Sequence, residues 1–275
     1  MKTLGSAVRG VTLLALFSFL GGPFIWLLGV SLKSPVELLT FHASPIPQKF
    51  YFQNYADALA KSGIIRAFLN SLYISIASTI LICILIALPA YYFARSKGIV
   101  TRGMQMWILI SQVFPLTLII IPLFLTLQKL SLVNSHLGLI LVYVVINVPF
   151  SLWLLRSFVI SIPQELEEAA TIDGASTTQV IRHIVIPLLL PGIIVVSIFT
   201  FISVWNEFLF ALVLLADPEK STLPLKLAQF LGAEGRGRFG ALAAATVMAI
   251  IPALALFGIV QKKFSNDLFA GATKG

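Results

Sequence analysis

The chain has 275 residues, 58% hydrophobic and only 11% charged, with 19 Lys and Arg against 11 Asp and Glu for a net charge of +8. A soluble globular domain carries about 25% charged residues, so the composition excludes one and makes lipid the main solvent. The positive balance does not make a nucleic-acid binder: the cations are scattered over segment boundaries with no basic stripe, where they set topology or meet anionic headgroups.

Six stretches without Asp, Glu, Lys or Arg meet or nearly meet the length of about 20 residues that a spanning helix needs. Backbone groups in hydrocarbon must pair within their own segment, and the alternation of barrel strands is absent. The expected fold is an all-α membrane protein with six transmembrane helices at about 10–32, 65–94, 103–128, 136–159, 184–215 and 240–261, one transmembrane domain over 1–275. The first run is too long for a signal-peptide core and lacks a small-x-small cleavage site, so it is expected to remain as the first span. A polar loop with Pro35, Pro45 and Pro47 follows it. A tight basic turn at 95–102 separates the second and third spans, and a second polar loop covers 216–239. Pro23, Pro89, Pro115, Pro122, Pro149, Pro187, Pro191 and Pro252 lie inside spans. Each removes a backbone donor, so the bundle is either kinked for rocking or simply bent.

Between the fourth and fifth spans, residues 161–183 form a short polar hairpin. Ser161-Ile162-Pro163-Gln164 reads as a capping box. Glu165, Glu167 and Glu168 put negative charge at the positive end of the new helix. Ala169, Ala170 and Asp173 share one thin face, so another protein can approach the backbone closely. Gly174 is expected to end the helix in the left-handed conformation, and Ser176 or Thr177 to cap the next one. A helix lying on headgroups favours basic and bulky faces; this one is acidic and small, which suits a docking knob. The cations nearly balance between the two sides. Only the 95–102 turn and Lys262-Lys263 lean towards the hairpin side, which places the hairpin in the cytoplasm.

Glu168-Ala169-Ala170, then Gly174, then Ile184-Val185-Ile186-Pro187 after nine residues, resembles the signature loop of permease subunits of bacterial ABC importers, with Ile186 where Leu is usual. Trp205-Asn206-Glu207-Phe208, the stretch from Thr222 to Phe230 and the ending Ala270-Gly271-Ala272-Thr273-Lys274-Gly275 are similar to the carbohydrate-uptake branch, the maltose-type inner-membrane permeases. The resemblance implies a cytoplasmic coupling helix that docks on an ATPase through Glu168, Ala169, Ala170, Asp173 and Gly174. It implies a tail, Gly271, Ala272, Thr273, Lys274 and Gly275, that reaches between two ATPase subunits. It also implies a second, different permease subunit, an extracytoplasmic solute-binding protein met by the 216–239 loop, and cytoplasmic termini in a bacterial inner membrane. No P-loop is present, so ATP and Mg would be used by the partner ATPase and no cofactor by this chain. An importer for glycerol phosphate or polyamine, and a membrane-embedded enzyme or channel, are the alternatives.

Glu207 is the only carboxylate inside an expected span, and an intramembrane ionisable group is a functional hypothesis by default. With Trp205 and Asn206 it offers a sugar an aromatic face, an amide and a carboxylate, although the three cannot all face one way; a role in gating or packing is the competing reading. Asn147 could line the same pathway, or form an interhelical hydrogen bond. In the maltose-type system the sugar contacts fall mainly on the partner permease. Cys83, the single cysteine, excludes an intrachain disulfide and a multi-cysteine metal site. His42, His136 and His183 show no metal spacing, and no catalytic set emerges.

Overall fold

The computed structural model describes residues 2–40, 44–60, 63–232 and 238–272, and every described element is helical. They are α1 (Lys2–Ser31), α2 (Pro35–Leu39), α3 (Gln53–Ala60), α4 (Ile64–Arg95), α5 (Ile99–Val113), α6 (Leu116–Lys129), α7 (His136–Ile160), α8 (Glu165–Ile172), α9 (Thr177–Val180), α10 (Ile186–Trp205), α11 (Leu209–Leu214), α12 (Leu223–Gly232) and α13 (Phe239–Ala272), with a π-turn at Ile181–Val185 leading into α10. Five stretches among the described residues are long and apolar enough to cross a membrane: Arg9–Ser31, Ile64–Arg95, His136–Ile160, Thr177–Trp205 and Phe239–Ile259. The pair α5 and α6 passes the same test together, bent by 99°, and makes a sixth if it is one crossing.

That bend corrects the expectation of one unbroken helix at 103–128. Proline disfavours the helical conformation at the residue before it and lacks an N–H. Phe114, which precedes Pro115, is accordingly extended at φ −70°, ψ 128°, and α6 restarts beyond it. The span expected at 184–215 is also shorter. It stops at Trp205, and a separate helix, α11, follows a break at residues 206–208. Pro187 leaves the carbonyl four residues earlier without its helical donor. The chain answers with the π-turn just before it, in which the Ile186 amide donates to Ile181.

The chain divides into two compact units, Met1–Phe68 with Leu225–Leu254, and Leu69–Pro224 with Ala255–Gly275. In the first, Asn54 is buried and its amide donates to the carbonyls of Ser31 and Lys33 at 2.9 and 2.8 Å, capping the end of α1. Gly240 lies against it: a Cβ there would come within 2.5 Å of the Asn54 side chain. Lys33 is buried too, donating to the Ser44 carbonyl and lying 5.7 Å from the Trp26 ring centre.

The second unit is organised by the antiparallel pair α7 and α10. Tyr143 meets Glu207, Asn147 meets Ser203, Ser151 meets Thr200 and Phe158 meets Gly192, so the residue numbers rise on one helix as they fall on the other. Ser151 and Thr200 are buried and 3.0 Å apart. In lipid there is no hydrophobic force between helices, so small residues and hydrogen bonds hold them. Gly192 provides the closest approach: a Cβ there would lie 2.6 Å from Phe158 Cγ. Gly192→Ala is therefore expected to cost about 1–3 kcal/mol and to lower the melting temperature of the detergent-solubilised protein. Gly22→Ala, inside α1 where a Cβ meets nothing within 4 Å, serves as the control and is expected not to lower it, since alanine favours the helix.

Candidate functional site

The hairpin between α7 and α10 is built by local backbone chemistry. Helix α8 closes with a left-handed Gly174 at φ +87°. The Gly174 amide donates to Thr171 at 3.0 Å and the Ala175 amide to Ala170 at 2.9 Å, the paired bonds of a Schellman cap. Ser176 then caps α9, with the Gln179 side-chain oxygen accepting from the Ser176 amide at 2.8 Å and from its hydroxyl at 2.9 Å. The expected box at the other end does not form. Ser161 donates to the Phe158 carbonyl at 2.7 Å, finishing α7 instead of starting α8, and α8 has no side-chain cap at Gln164. The reason is reach: Ser161 still belongs to the last turn of α7, whose carbonyls need donors.

Side-chain directions divide the hairpin into an outer and an inner face. Glu168, Ala169, Asp173 and Gly174 are exposed, and Ala170 is half-buried. Ile172 is 86% exposed at the tip of α8. An open notch of about 360 Å³ runs along Asp173, Gly174, Gln179 and His183. On the inner face Glu167 turns towards the end of α4. Its Oε1 accepts from Arg95 Nε at 2.9 Å and from Nη2 at 2.5 Å, and its Oε2 accepts from the Tyr91 hydroxyl at 2.7 Å. Arg95 Nη2 also donates to the Ile162 carbonyl at 2.9 Å. Both partners of the ion pair are mostly buried, at 15% and 12% side-chain exposure. The Phe93 carbonyl, in the last turn of α4, accepts from Gln105 at 2.8 Å and Arg156 at 3.1 Å. Tyr91, Arg95, Arg156 and Glu167 did not stand out as a set in the sequence. Tyr91 and Arg95 are spaced i, i+4 at a helix end, which gives them one face, but nothing local names Glu167 as their partner.

The candidate pathway residues are all engaged within the chain. Asn147 Nδ2 donates to the Tyr143 carbonyl at 2.8 Å, and its Oδ1 accepts from Ser203 at 2.8 Å. Trp205 is 4% exposed and stacks on Phe201, ring centres 5.7 Å apart and 13° from parallel. Asn206 is exposed and donates from Nδ2 to the Ile202 carbonyl at 2.8 Å. Glu207 lies not within a span but in the break after α10. It accepts the Tyr143 hydroxyl at 2.6 Å and the Phe210 and Ala211 amides at 2.9 and 3.3 Å. A carboxylate on the first free amides of α11 is a helix cap reinforced by the dipole. The structure thus brings Asn147 and Glu207 onto one α7–α10 seam and leaves Asn206 exposed. Of the tail, Gly271 and Ala272 are the last residues of α13; Thr273, Lys274 and Gly275 lie outside the described residues.

The chain is multi-span and helical, with a capped polar hairpin between two apolar helices, and the comparisons identify its family. Residues 79–268 match the family model of the binding-protein-dependent transport system inner membrane component, and the chain belongs to that family. It is a multi-pass inner-membrane protein. It is 35% identical to the diacetylchitobiose uptake system permease protein NgcG of Streptomyces coelicolor over 90% of this chain and 82% of that protein. It is 34% identical to the trehalose/maltose transport system permease protein MalG of Thermococcus litoralis over 92% and 91%. A chain of a bacterial ABC transporter involved in the import of the acidic polysaccharide alginate shares the fold, with a TM-score of 0.77 and 24% identity over 96% of both chains.

The Glu207 cap gives a direct test. Glu207→Ala leaves the Tyr143 hydroxyl, on a side chain only 1% exposed, and the Phe210 amide without their acceptor. Stranding such groups costs about 1–3 kcal/mol, so the variant is expected to unfold at a lower temperature in detergent, and Tyr143→Phe to lose less.

Proposed function

We propose that this chain is the membrane-spanning permease subunit of an ATP-driven ABC importer, and that it passes a carbohydrate, delivered by an extracytoplasmic binding protein, across the inner membrane by alternating access. The observation that carries this reading is the division of the hairpin. Glu168, Ala169, Asp173 and Gly174 face water while the neighbouring Glu167 is tied to α4. A small exposed face on a firmly anchored helix suits docking, since the anchor lets a push on the knob reach the spans. The carbohydrate class is supported by relatives named for diacetylchitobiose and for trehalose and maltose.

On this reading the bent pair α5 and α6 is one crossing, giving six spans in a single domain over 1–275. The hairpin and both termini are cytoplasmic. Glu168, Ala169, Ala170, Asp173 and Gly174 form the contact with one of two ATPase subunits, and the tail from Gly271 to Gly275 reaches between them. A second permease chain completes the pathway, along which Asn147, Trp205, Asn206 and Glu207 become candidates for sugar contact once the spans rearrange. The loop at 216–239 meets the binding protein. ATP and Mg belong to the ATPase partners, and this chain contributes no catalytic group.

The test is a charge reversal on the outer face. Glu168→Lys is expected to leave assembly with the ATPase intact and to reduce binding-protein-stimulated ATP hydrolysis and uptake at least about tenfold, the scale of a removed interface contact. A compensating acidic substitution on the ATPase should restore both. Undiminished uptake in the single variant removes the hairpin from its assigned role. Uptake assays with a panel of radiolabelled sugars, glycerol phosphate and polyamines identify the solute class.

A further inference from the structure

Helix α4 is fastened by polar clamps at both ends. At its C-terminal end Arg95 and Tyr91 hold Glu167 of the hairpin, and Arg95 also holds the Ile162 carbonyl. Near its other end the Asn70 amide donates to the carbonyls of Glu219 and Ser221 at 2.9 and 3.0 Å, and the Ser71 hydroxyl accepts the Leu223 amide at 2.7 Å. Asn70 and Arg95 are 25 residues apart, about 37 Å at the helical rise, against about 30 Å of hydrocarbon. The separation is enough to set the two clamps at opposite membrane boundaries.

The segment held by Asn70 is itself firmly tied. Asn134 Oδ1 accepts the Ala216 and Asp217 amides at 3.2 and 3.0 Å. The Asp217 carboxylate accepts the Glu219 amide at 2.9 Å, and Lys220 Nζ donates to the Asn134 carbonyl at 2.9 Å. His136 Nε2 lies 3.0 Å from the Lys220 carbonyl. The loop is thus cross-braced within itself and to residues 134 and 136. Between the clamps α4 buries Ile74, Ser78, Ile82, Ile86 and Ala90, one residue in every four, each at most 1% exposed. The helix runs unbroken from Ile64 to Arg95 through Pro89. It is thus guided along its length and gripped at both ends.

We infer that Arg95 and Asn70 are positioning residues that make α4 a transmission rod, linking the 216–222 loop on one side of the membrane to the hairpin on the other. This rests on the importer reading: the loop senses the binding protein and the hairpin the ATPase, and α4 is the element whose position both set. The Asn70 and Arg95 side chains are both spent on contacts within the chain. Their loss uncouples the two ends and leaves the ATPase sites whole. A serial link also has a signature: breaking one end suffices, so breaking both adds nothing.

The experiment uses the complete importer in proteoliposomes, with copurification of the ATPase subunits as the assembly check. ATP hydrolysis is measured with and without saturating binding protein and solute. Asn70→Asp keeps the size and loses the donor, and Arg95→Gln loses the charge. Each is expected to retain basal hydrolysis and to lose binding-protein stimulation by about tenfold, within the usual range of coupling between sites. The double variant is expected to match the worse single variant. Full stimulation in Asn70→Asp overturns the rod, as does a double loss equal to the product of the two. If Arg95→Gln does not assemble, Asn70→Asp alone decides, because its clamp lies at the other membrane boundary from the ATPase. A wild-type complex that lacks ATPase subunits or shows no stimulation instead overturns the importer reading, and the rod falls with it. A stimulated wild type with a fully stimulated Asn70→Asp leaves that reading intact.

Discussion

Lipid supplies no hydrogen bonds, and this one constraint shapes the second unit. The α7–α10 seam meets it in rungs, pairing Asn147 with Ser203 and Ser151 with Thr200, with Tyr143 and Glu207 closing the end. Each rung removes a polar group from hydrocarbon and fixes the helix register at the same time. Gly192 against Phe158 completes the seam by letting the backbones close. Without this pair the hairpin would have no fixed base, because α7 delivers its start and α10 receives its end.

The hairpin shows how one helix turn separates two tasks. Glu167 and Glu168 are adjacent in sequence but about 100° apart around α8. One is tied by Tyr91 and Arg95, and the other is free to meet a partner protein. A mostly buried, multiply bonded ion pair costs desolvation and is a poor source of net stability. Its value lies in direction: it fixes which face of α8 turns outwards and joins that face to a helix long enough to cross the bilayer.

Glu207 illustrates how tertiary structure changes the meaning of a residue. As a carboxylate inside a long apolar run it suggests a ligand or a relay. With the helix broken at residues 206–208 it becomes the acceptor for amides that the break itself exposes, and for a buried tyrosine. Beside the break, Trp205 is buried against Phe201 within α10 and Asn206 is exposed. Proline has a comparable effect at Pro115, where a span continuous in composition folds through 99°.

What the sequence determined by itself was everything set by local or compositional physics. Long uncharged stretches made the helices, Gly174 ended α8 in the left-handed conformation, Ser176 began α9, and the acidic, small-residue hairpin stood apart from its apolar flanks. Prolines were visible, but whether each bends, breaks or is absorbed depends on which neighbours accept the freed groups, so Pro89 stays within a helix while Pro115 divides one. Only the tertiary structure decided the pairings across long separations: Arg95 with Glu167, Asn70 with the 219–221 carbonyls, Tyr143 with Glu207. These join residues 64 to 151 positions apart, and no periodicity of 3.6 residues carries that information. It exists only once apolar packing has set the helices side by side and brought these particular groups within reach of one another.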